Sequence, residues 1–176
     1  MGWGYLWMNY QNKKGEIIMS IFDKYANKIN ADDLKASQQE IQNNASGGDY
    51  EEVPVGKYEV KVEKMECKTS KKGNPMVSIW FRILTGKFEN SMIFYNGVFY
   101  EDWMRHRVVK MISSLLDDDS HEGEINLILK SNDVDYINNF LMDVHESIDG
   151  QLEYLLDYGE RKGYQTYTIE EVFETQ

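Results

Sequence analysis

The sequence predicts a mainly β domain, in which a small antiparallel sheet carries helices inserted before its last two strands. Apolar and polar residues alternate over residues 57–97, with turn residues at the breaks. Two stretches with helical spacing follow, and a second pair of alternating segments encloses a glycine-bracketed turn near the C-terminus. An amphipathic helix buries its apolar face against another apolar surface. We therefore expect the helices and the sheet to share one hydrophobic core.

The first three predicted strands form a meander. Apolar residues alternate with charged residues from Lys57, and the phase slips near Lys64–Met65, as it does at a β-bulge. A turn over 69–75, which contains Gly, Asn, Pro and two lysines, leads to the second strand, 76–84. The second strand has an apolar face of Val77, Ile79, Phe81 and Ile83 and an opposite face of Ser78, Trp80 and Arg82. The third strand covers 92–97.

Two helices and a hairpin complete the predicted domain. Apolar residues recur at three- and four-residue intervals over 101–116 and 133–146, which indicates two amphipathic helices. Strands at 151–158 and 164–173 then enclose a loop with a basic pair. The order β-β-β-α-(α)-β-β is that of the OB fold, whose helix lies between the third and fourth strands. We therefore expect a five-stranded antiparallel OB-like barrel with inserted helices.

The chain divides into three predicted parts. Residues 50–176 form the barrel domain, and the polar residues 19–49, which end in a glycine-serine linker, form a flexible arm. Residues 1–18 lack the periodicity of a packed helix or strand. The purine-rich codons available to residues 14–16 resemble a bacterial ribosome-binding site just before Met19. We expect translation to start naturally at Met19; the alternative is a genuine N-terminal arm.

The composition narrows the class of protein. No run of about eighteen apolar residues is present, and the N-terminus lacks the layout of a secretory signal, so we expect a cytoplasmic protein. A single cysteine, Cys67, cannot form an internal disulfide. The three histidines have no zinc-ligand spacing. We expect no metal and no other cofactor.

The distribution of charge along the sequence is more informative than the net charge of the whole chain. A net charge of −11 disfavours nucleic-acid binding, because a polyanion is usually met by a basic surface. Between Lys57 and Lys110, however, eleven Lys or Arg stand against six Asp or Glu, which gives this region a net charge of +5. The interpretation is a cationic sheet region within an acidic chain; the alternative is ordinary fluctuation of charge along the sequence.

The predicted sheet carries the residue types that bind single-stranded DNA, namely flat rings on which bases stack and cations for the backbone. In OB folds the second and third strands and the first and last hairpin loops bind oligonucleotides. The candidates on those elements are Lys71, Lys72, Trp80, Arg82, Tyr95, Arg161 and Lys162. The spacing of Trp80 and Arg82 places an indole and a guanidinium side by side on the face away from the core.

Each candidate also has a purely structural interpretation. Trp80 is in that case packed beneath the helices, and lysines in hairpin loops are often only solvated. Three further aromatic residues are expected in the core: Phe94, Tyr154 and Tyr167. Trp103, with Arg107 and Lys110 on the flank of the first helix, forms either a second contact surface or a flank that packs on the barrel.

An acidic tract raises the alternative of a magnesium-dependent nuclease. It consists of Asp117, Asp118, Asp119, Glu122 and Glu124. Consecutive acidic residues point in different directions around the chain, so a solvated loop is the preferred interpretation. The sequence has no Ser/His/Asp or Cys/His arrangement, phosphate-binding glycine loop or dinucleotide fingerprint. We therefore expect that the protein is not an enzyme.

Five segments carry a resemblance to a known family: residues 53–62, 72–76, 80–84, 162–167 and 172–174. They resemble phage-encoded proteins of a family long described as of unknown function and regarded as single-stranded DNA-binding proteins. The resemblance implies an OB-like fold and a role in protecting single strands during phage replication or recombination in a bacterial host. No short acidic tail with a terminal apolar residue follows the last strand, which puts in doubt the recruitment of host proteins through such a tail.

The preferred function is therefore sequence-tolerant binding of single-stranded DNA. Its partners beyond DNA are expected among phage or host replication and recombination proteins, and homo-oligomerisation stays open. The main alternative is a phage adaptor module that binds a host or replisome protein through the same sheet face. Salt distinguishes the two, because DNA binding releases counterions and an apolar protein interface does not.

Overall fold

The computed structural model describes residues 14–18, 20–22 and 52–175. It contains five strands, which are β1 (Gly56–Thr69), β2 (Pro75–Ile83), β3 (Met92–Val98), β4 (Leu152–Arg161) and β5 (Tyr164–Glu174). They form one antiparallel sheet in the order β3-β2-β1-β4-β5. The predicted mainly β fold, with a five-stranded antiparallel sheet and inserted helices, is confirmed.

Three α-helices lie between β3 and β4, and they are α1 (Asp102–Leu116), α2 (Glu122–Leu129) and α3 (Val134–Ile148); a 3-10 turn, Asp119–His121, precedes α2. The first and third match the predicted helices closely. The sequence did not predict α2, because eight residues are too few to show a helical period beside an acidic tract. Within the described ranges, no helix is long and apolar enough to cross a membrane.

The core lies between the inner face of the sheet and the three helices. The inward residues of β2 are completely buried: Val77, Ile79, Phe81 and Ile83. Burial of each such side chain contributes about 1.5–3 kcal/mol to folding. Tyr154 of β4 is also buried, as predicted, and its hydroxyl donates a hydrogen bond to the Leu115 carbonyl at 2.7 Å. The alternation read from the sequence thus identifies the core face correctly.

A bulge bends β1 and lets it take part in two ladders. Residues Gly56 to Val60 pair with β4, and residues from Val60 onward pair with β2. The register with β2 shifts between Val62 and Lys64, close to the predicted slip at Lys64–Met65. Because a bulge adds twist and curvature, β1 can turn from one half of the sheet to the other.

Helix α3 covers the edge of β1 that β4 leaves unpaired. The imidazole Nε2 of His145 lies 3.1 Å from the Val62 carbonyl oxygen, to which it donates. The side-chain oxygen of Asn138 accepts a hydrogen bond from the Cys67 N–H at 2.9 Å. The two helix residues are two turns apart and so lie on one face of α3. These two side chains provide hydrogen-bond partners for β1 backbone groups that would otherwise have none.

The sheet curls without closing through backbone pairing. Strands β3 and β5 are its two edges, and no ladder joins them in the described part of the chain. Tyr167 spans the gap with its side chain: its hydroxyl donates to the Phe94 carbonyl oxygen at 2.7 Å, and its ring packs against the ring of Tyr95 on β3. The predicted barrel is therefore an open, strongly curved sheet.

A short segment before the domain packs against it. Residues 14–18 and 20–22 are helical. Three of their side chains are buried: Ile18, Ile21 and Phe22. The Phe22 ring stacks on the imidazole of His121, with ring centroids 4.4 Å apart. The predicted domain boundary at residue 50 did not anticipate this packing. The rest of the predicted extension and arm, Met19 included, lies outside the described residues.

Candidate functional site

The face of β1, β2 and β3 that points away from the core carries the central part of the candidate site. In β2, Ile79 and Phe81 are completely buried, whereas Trp80 and Arg82 are half-buried on the opposite side. Trp80 therefore does not pack beneath the helices. Successive side chains of a strand point to opposite faces, which is why the sequence pattern could separate the two pairs.

Cross-strand register aligns Lys64, Trp80 and Phe94 in one row across β1, β2 and β3, which we call the aromatic row. The rings of Trp80 and Phe94 meet edge to face, with centroids 5.3 Å apart and planes at 86°. The Lys64 ammonium lies 5.0 Å from the centroid of the indole, within cation–π distance. Phe94 remains 38% exposed. The row thus offers a cation and two aromatic rings on one surface.

Charged residues surround the aromatic row on the same face. The cations are Lys61, Lys64, Lys68 and Arg82. Glu63 pairs with Arg82 at 3.0 Å between Oε2 and Nε, and Glu66 pairs with Lys64 at 2.9 Å between Oε2 and Nζ. Lys61 and Lys68 approach the same two carboxylates at 3.6 and 3.7 Å. In these ion pairs four cations stand against two carboxylates, so the part of the face around the aromatic row is positively charged.

Arg82 is held by protein partners. Its hydrogen bond to Glu63 is the main cause that lowers the pKa of that carboxyl, against the opposing effect of burial, and the same contact raises the pKa of Arg82. Arg82 Nη1 also lies 3.3 Å from the Asn90 carbonyl oxygen. Binding of a phosphate by Arg82 therefore requires competition with Glu63, which sequence spacing alone did not reveal.

A hydrogen bond to Ser78 also positions the Trp80 indole. The Trp80 N–H donates to the Ser78 hydroxyl at 3.2 Å, and Ser78 is almost fully buried. Asn96 lies opposite Ser78 on β3, and its side-chain oxygen is buried without a hydrogen-bond partner among the described residues. The orientation of Trp80 is thus set by Ser78, Phe94 and Lys64 together.

Tyr95 does not belong to this surface, which corrects its assignment as a candidate. It pairs with the buried Ile79 and therefore faces the core side of β3. Its ring meets that of Tyr167 at right angles, with centroids 5.2 Å apart, and burial raises its pKa. Adjacent residues of a strand point to opposite faces, so the outward aromatic of β3 is Phe94 and not Tyr95. The expectation that Phe94 lies in the core was wrong.

The two basic turns lie at opposite ends of β1. Lys71 and Lys72 are exposed in the turn that follows β1. Arg161 and Lys162 are exposed in the turn between β4 and β5, which extends past Gly56 at the other end of β1. The structure does not bring the two pairs together; each pair extends the sheet surface at a different end.

The flank of α1 forms a separate feature. Trp103 is 49% exposed, and its indole N–H donates to the Glu101 carboxylate. Lys110 is paired with Glu122 at 2.7 Å. Arg107 is exposed, and its charge acts against the rise in the pKa of Tyr95. None of these side chains is in register with the aromatic row.

The acidic tract does not form a metal site. Asp118 accepts hydrogen bonds from the backbone N–H and the hydroxyl of Ser120, and Glu122 is paired with Lys110. In the described part of the chain, no three His, Cys, Asp or Glu side chains are grouped so that they could hold a metal ion. The carboxylates of the tract are directed at different partners.

Sequence reasoning missed Lys64 and Phe94. Both belong to strands that were predicted, but their alignment with Trp80 depends on the register of three strands. The register of Lys64 in turn depends on the position of the bulge. The charge alternation of β1 could have marked Lys64 as outward-facing, whereas two adjacent aromatics in β3 gave no signal as to which one faces outward.

Comparison with known proteins gives one match. No curated protein and no solved structure matches the chain. Residues 38–114 match the family model described as "Protein of unknown function (DUF669)". The matched segment includes β1, β2, β3 and most of α1. The chain thus resembles this uncharacterised family over the segment that carries the whole aromatic row.

Proposed function

We propose that the chain binds and protects single-stranded DNA with little sequence preference and without catalysis, in phage replication or recombination. The observation that carries the proposal is the aromatic row, where Trp80 and the exposed Phe94 stand beside Lys64 on a cationic sheet face. The phage context rests on the resemblance of the strand and turn segments described above.

The aromatic row offers what an unpaired base needs. Every base has a flat π-face, so stacking on Trp80 or Phe94 tolerates any sequence and contributes about 1–3 kcal/mol per base. In duplex DNA the bases are stacked on one another, so they cannot stack on Trp80 or Phe94 unless the duplex unwinds. The same chemistry therefore favours single strands over duplex.

In this proposal the lysines of β1 contact the phosphates of the strand whose bases stack on the aromatic row. Lys61, Lys64 and Lys68 follow the outer face of β1 beside the rings. The Lys71–Lys72 turn continues this line beyond the end of β1, and the Arg161–Lys162 turn adds charge at the opposite end. In this proposal the rings bind the bases and the lysines bind the backbone.

Salt dependence tests the proposal. We expect the chain to bind a fluorescent oligothymidine at low salt, measured by anisotropy or gel shift. Each phosphate contact lowers the logarithm of the affinity by about 0.7 per tenfold increase in salt for single strands. With about three or four contacts, a fourfold increase in salt should weaken binding by about 20- to 50-fold.

A matched pair of lysine variants serves as the control. Lys64→Ala should weaken binding and reduce the salt slope by about one phosphate contact. Lys57→Ala removes the same charge from the same strand, and Lys57, like Lys64, has a carboxylate partner at 2.9 Å. Lys57 lies opposite β4 and not opposite Trp80, so binding should not change. Absence of binding at low salt, or binding that salt hardly affects, would instead favour the adaptor that contacts another protein through this face.

A further inference from the structure

The gap between β3 and β5 is bridged next to the aromatic row. Phe94 provides both halves of this arrangement, because its ring meets Trp80 on the outer face and its carbonyl oxygen accepts the 2.7 Å hydrogen bond from Tyr167. β3 is an edge strand, so no strand among the described residues pairs with its free side. The Tyr167 hydroxyl joins this edge to β5 by a hydrogen bond, beside the contact between the rings of Tyr167 and Tyr95.

Tyr167 is itself held firmly. Its ring packs at right angles to Tyr95, at 5.2 Å between centroids, and against Tyr158 at 5.5 Å. Tyr158 lies directly opposite Tyr167 in the ladder between β4 and β5. Burial raises the pKa of Tyr167, so the hydroxyl remains a proton donor throughout the neutral range. The hydroxyl is thus fixed in place by contacts with two other strands, β3 and β4.

We infer that Tyr167 is a positioning residue for single-stranded DNA binding, which acts by holding the Phe94 backbone so that the Phe94 ring stays against Trp80. This inference rests on the proposed function. Tyr167 does not face the DNA surface; it reaches that surface only through the Phe94 backbone.

The test removes one hydroxyl and leaves the ring. Tyr167→Phe should weaken binding of oligothymidine by about three- to tenfold, which is the effect expected from the loss of one hydrogen bond. The matched control is Tyr58→Phe, because the Tyr58 hydroxyl also donates to a backbone carbonyl at 2.7 Å, that of Pro54. We expect Tyr58→Phe to bind DNA as the wild type does. Equal binding by the two variants would overturn the inference.

A double-mutant cycle shows whether Tyr167 acts through Phe94. Phe94→Ala and the double variant with Tyr167→Phe should bind with the same reduced affinity, because the hydroxyl has no ring left to position. A merely structural role predicts that the two effects multiply. Multiplicative effects would therefore contradict the inference.

Amide hydrogen exchange without DNA separates this inference from the proposed function. In Tyr167→Phe the amides of β3 should exchange faster than in the wild type and in Tyr58→Phe, because the edge is released. Unchanged exchange would show that Tyr167 does not hold β3. If the wild type fails to bind oligothymidine, the proposed function fails, and the role of Tyr167 in DNA binding fails with it, whatever the exchange result.

Discussion

At the scale of single residues, the aromatic row differs from an ordinary core cluster because it remains accessible. Trp80 is half-buried by neighbours on its own face, and Phe94 keeps 38% of its surface exposed. An indole fixed by Ser78, Phe94 and Lys64 loses little conformational entropy when a base stacks on it. The row is thus organised before any ligand binds.

Replacement of Trp80 should affect binding more than folding. We expect Trp80→Ala to lose about 1–3 kcal/mol of affinity for oligothymidine while the melting temperature changes little. Trp103→Ala is the control, because Trp103 is also an accessible tryptophan whose N–H has a protein partner, but it lies on α1. It should bind DNA normally.

Melting curves beside the DNA titrations decide the role of Trp80. A buried tryptophan replaced by alanine typically loses about 3–5 kcal/mol of stability, so an early-melting Trp80→Ala would assign the residue to the core. Normal DNA binding by Trp80→Ala would also remove it from the site.

Glu63 is expected to restrain DNA binding, because it occupies Arg82 and approaches Lys61. Glu63→Gln keeps the shape and releases both cations, so binding should tighten by about two- to fivefold, the range of an exposed ion pair. Glu170→Gln makes the same charge change on β5, where Glu170 pairs with Lys57, and should leave affinity unchanged. Equal tightening by both variants would indicate a general effect of net charge, and no tightening would mean that Glu63 does not compete with DNA.

The lowered pKa of Glu63 gives this pair a defined pH dependence. The pair contributes to stability above the ordinary carboxyl pKa, and this contribution is lost as the pH falls through the lowered pKa of the folded state. Acidification should therefore release Arg82 in the wild type. In the Glu63→Gln variant, acidification should not change the contacts of Arg82, because position 63 no longer carries a carboxyl group.

At the scale of secondary-structure elements, β3 is held on two sides. Tyr167 contacts its free edge, and α1 packs closely on its inner face at Gly97. A β-carbon at Gly97 would lie 2.7 Å from a methyl group of the buried Val108 and 2.8 Å from the Tyr95 hydroxyl. Only a residue without a side chain allows α1 to approach the strand this closely.

Gly97→Ala should therefore destabilise the domain by about 1–3 kcal/mol, the usual cost of overpacking a core. Urea unfolding would measure this. Gly123→Ala in α2 is the matched control, because a β-carbon there meets nothing within 4 Å, and alanine favours a helix by up to about 1 kcal/mol. If Gly97→Ala is as stable as the wild type, α1 can shift away from β3, and the close approach does not position the strand.

At the scale of the whole molecule, the charge is unevenly distributed, and the core extends beyond the predicted domain. The chain carries a net charge of −11, yet the outer face of β1 and β2 carries more cations than carboxylates. Because the molecule as a whole is acidic, nonspecific binding of nucleic acid outside this cationic face is disfavoured. The core, by contrast, extends beyond the predicted domain, because Ile18 and Phe22 pack against the helices.

The sequence by itself determined the strand and helix segments, the buried face of β2 and the outward position of Trp80 and Arg82. These depend on periods of two and 3.6 residues, which are local properties of the chain. It did not reveal α2, which is too short to show a period, or the buried residues before residue 50, whose partners are far away in sequence.

Only the tertiary structure decided which side chains meet. The bulge in β1 sets the register that places Lys64 beside Trp80, and the pairing of β2 with β3 selects Phe94 over Tyr95. The capture of Arg82 by Glu63 and the bond from Tyr167 to Phe94 join residues from different strands. Such contacts depend on how strands align and curve, and no single segment of the sequence contains that information.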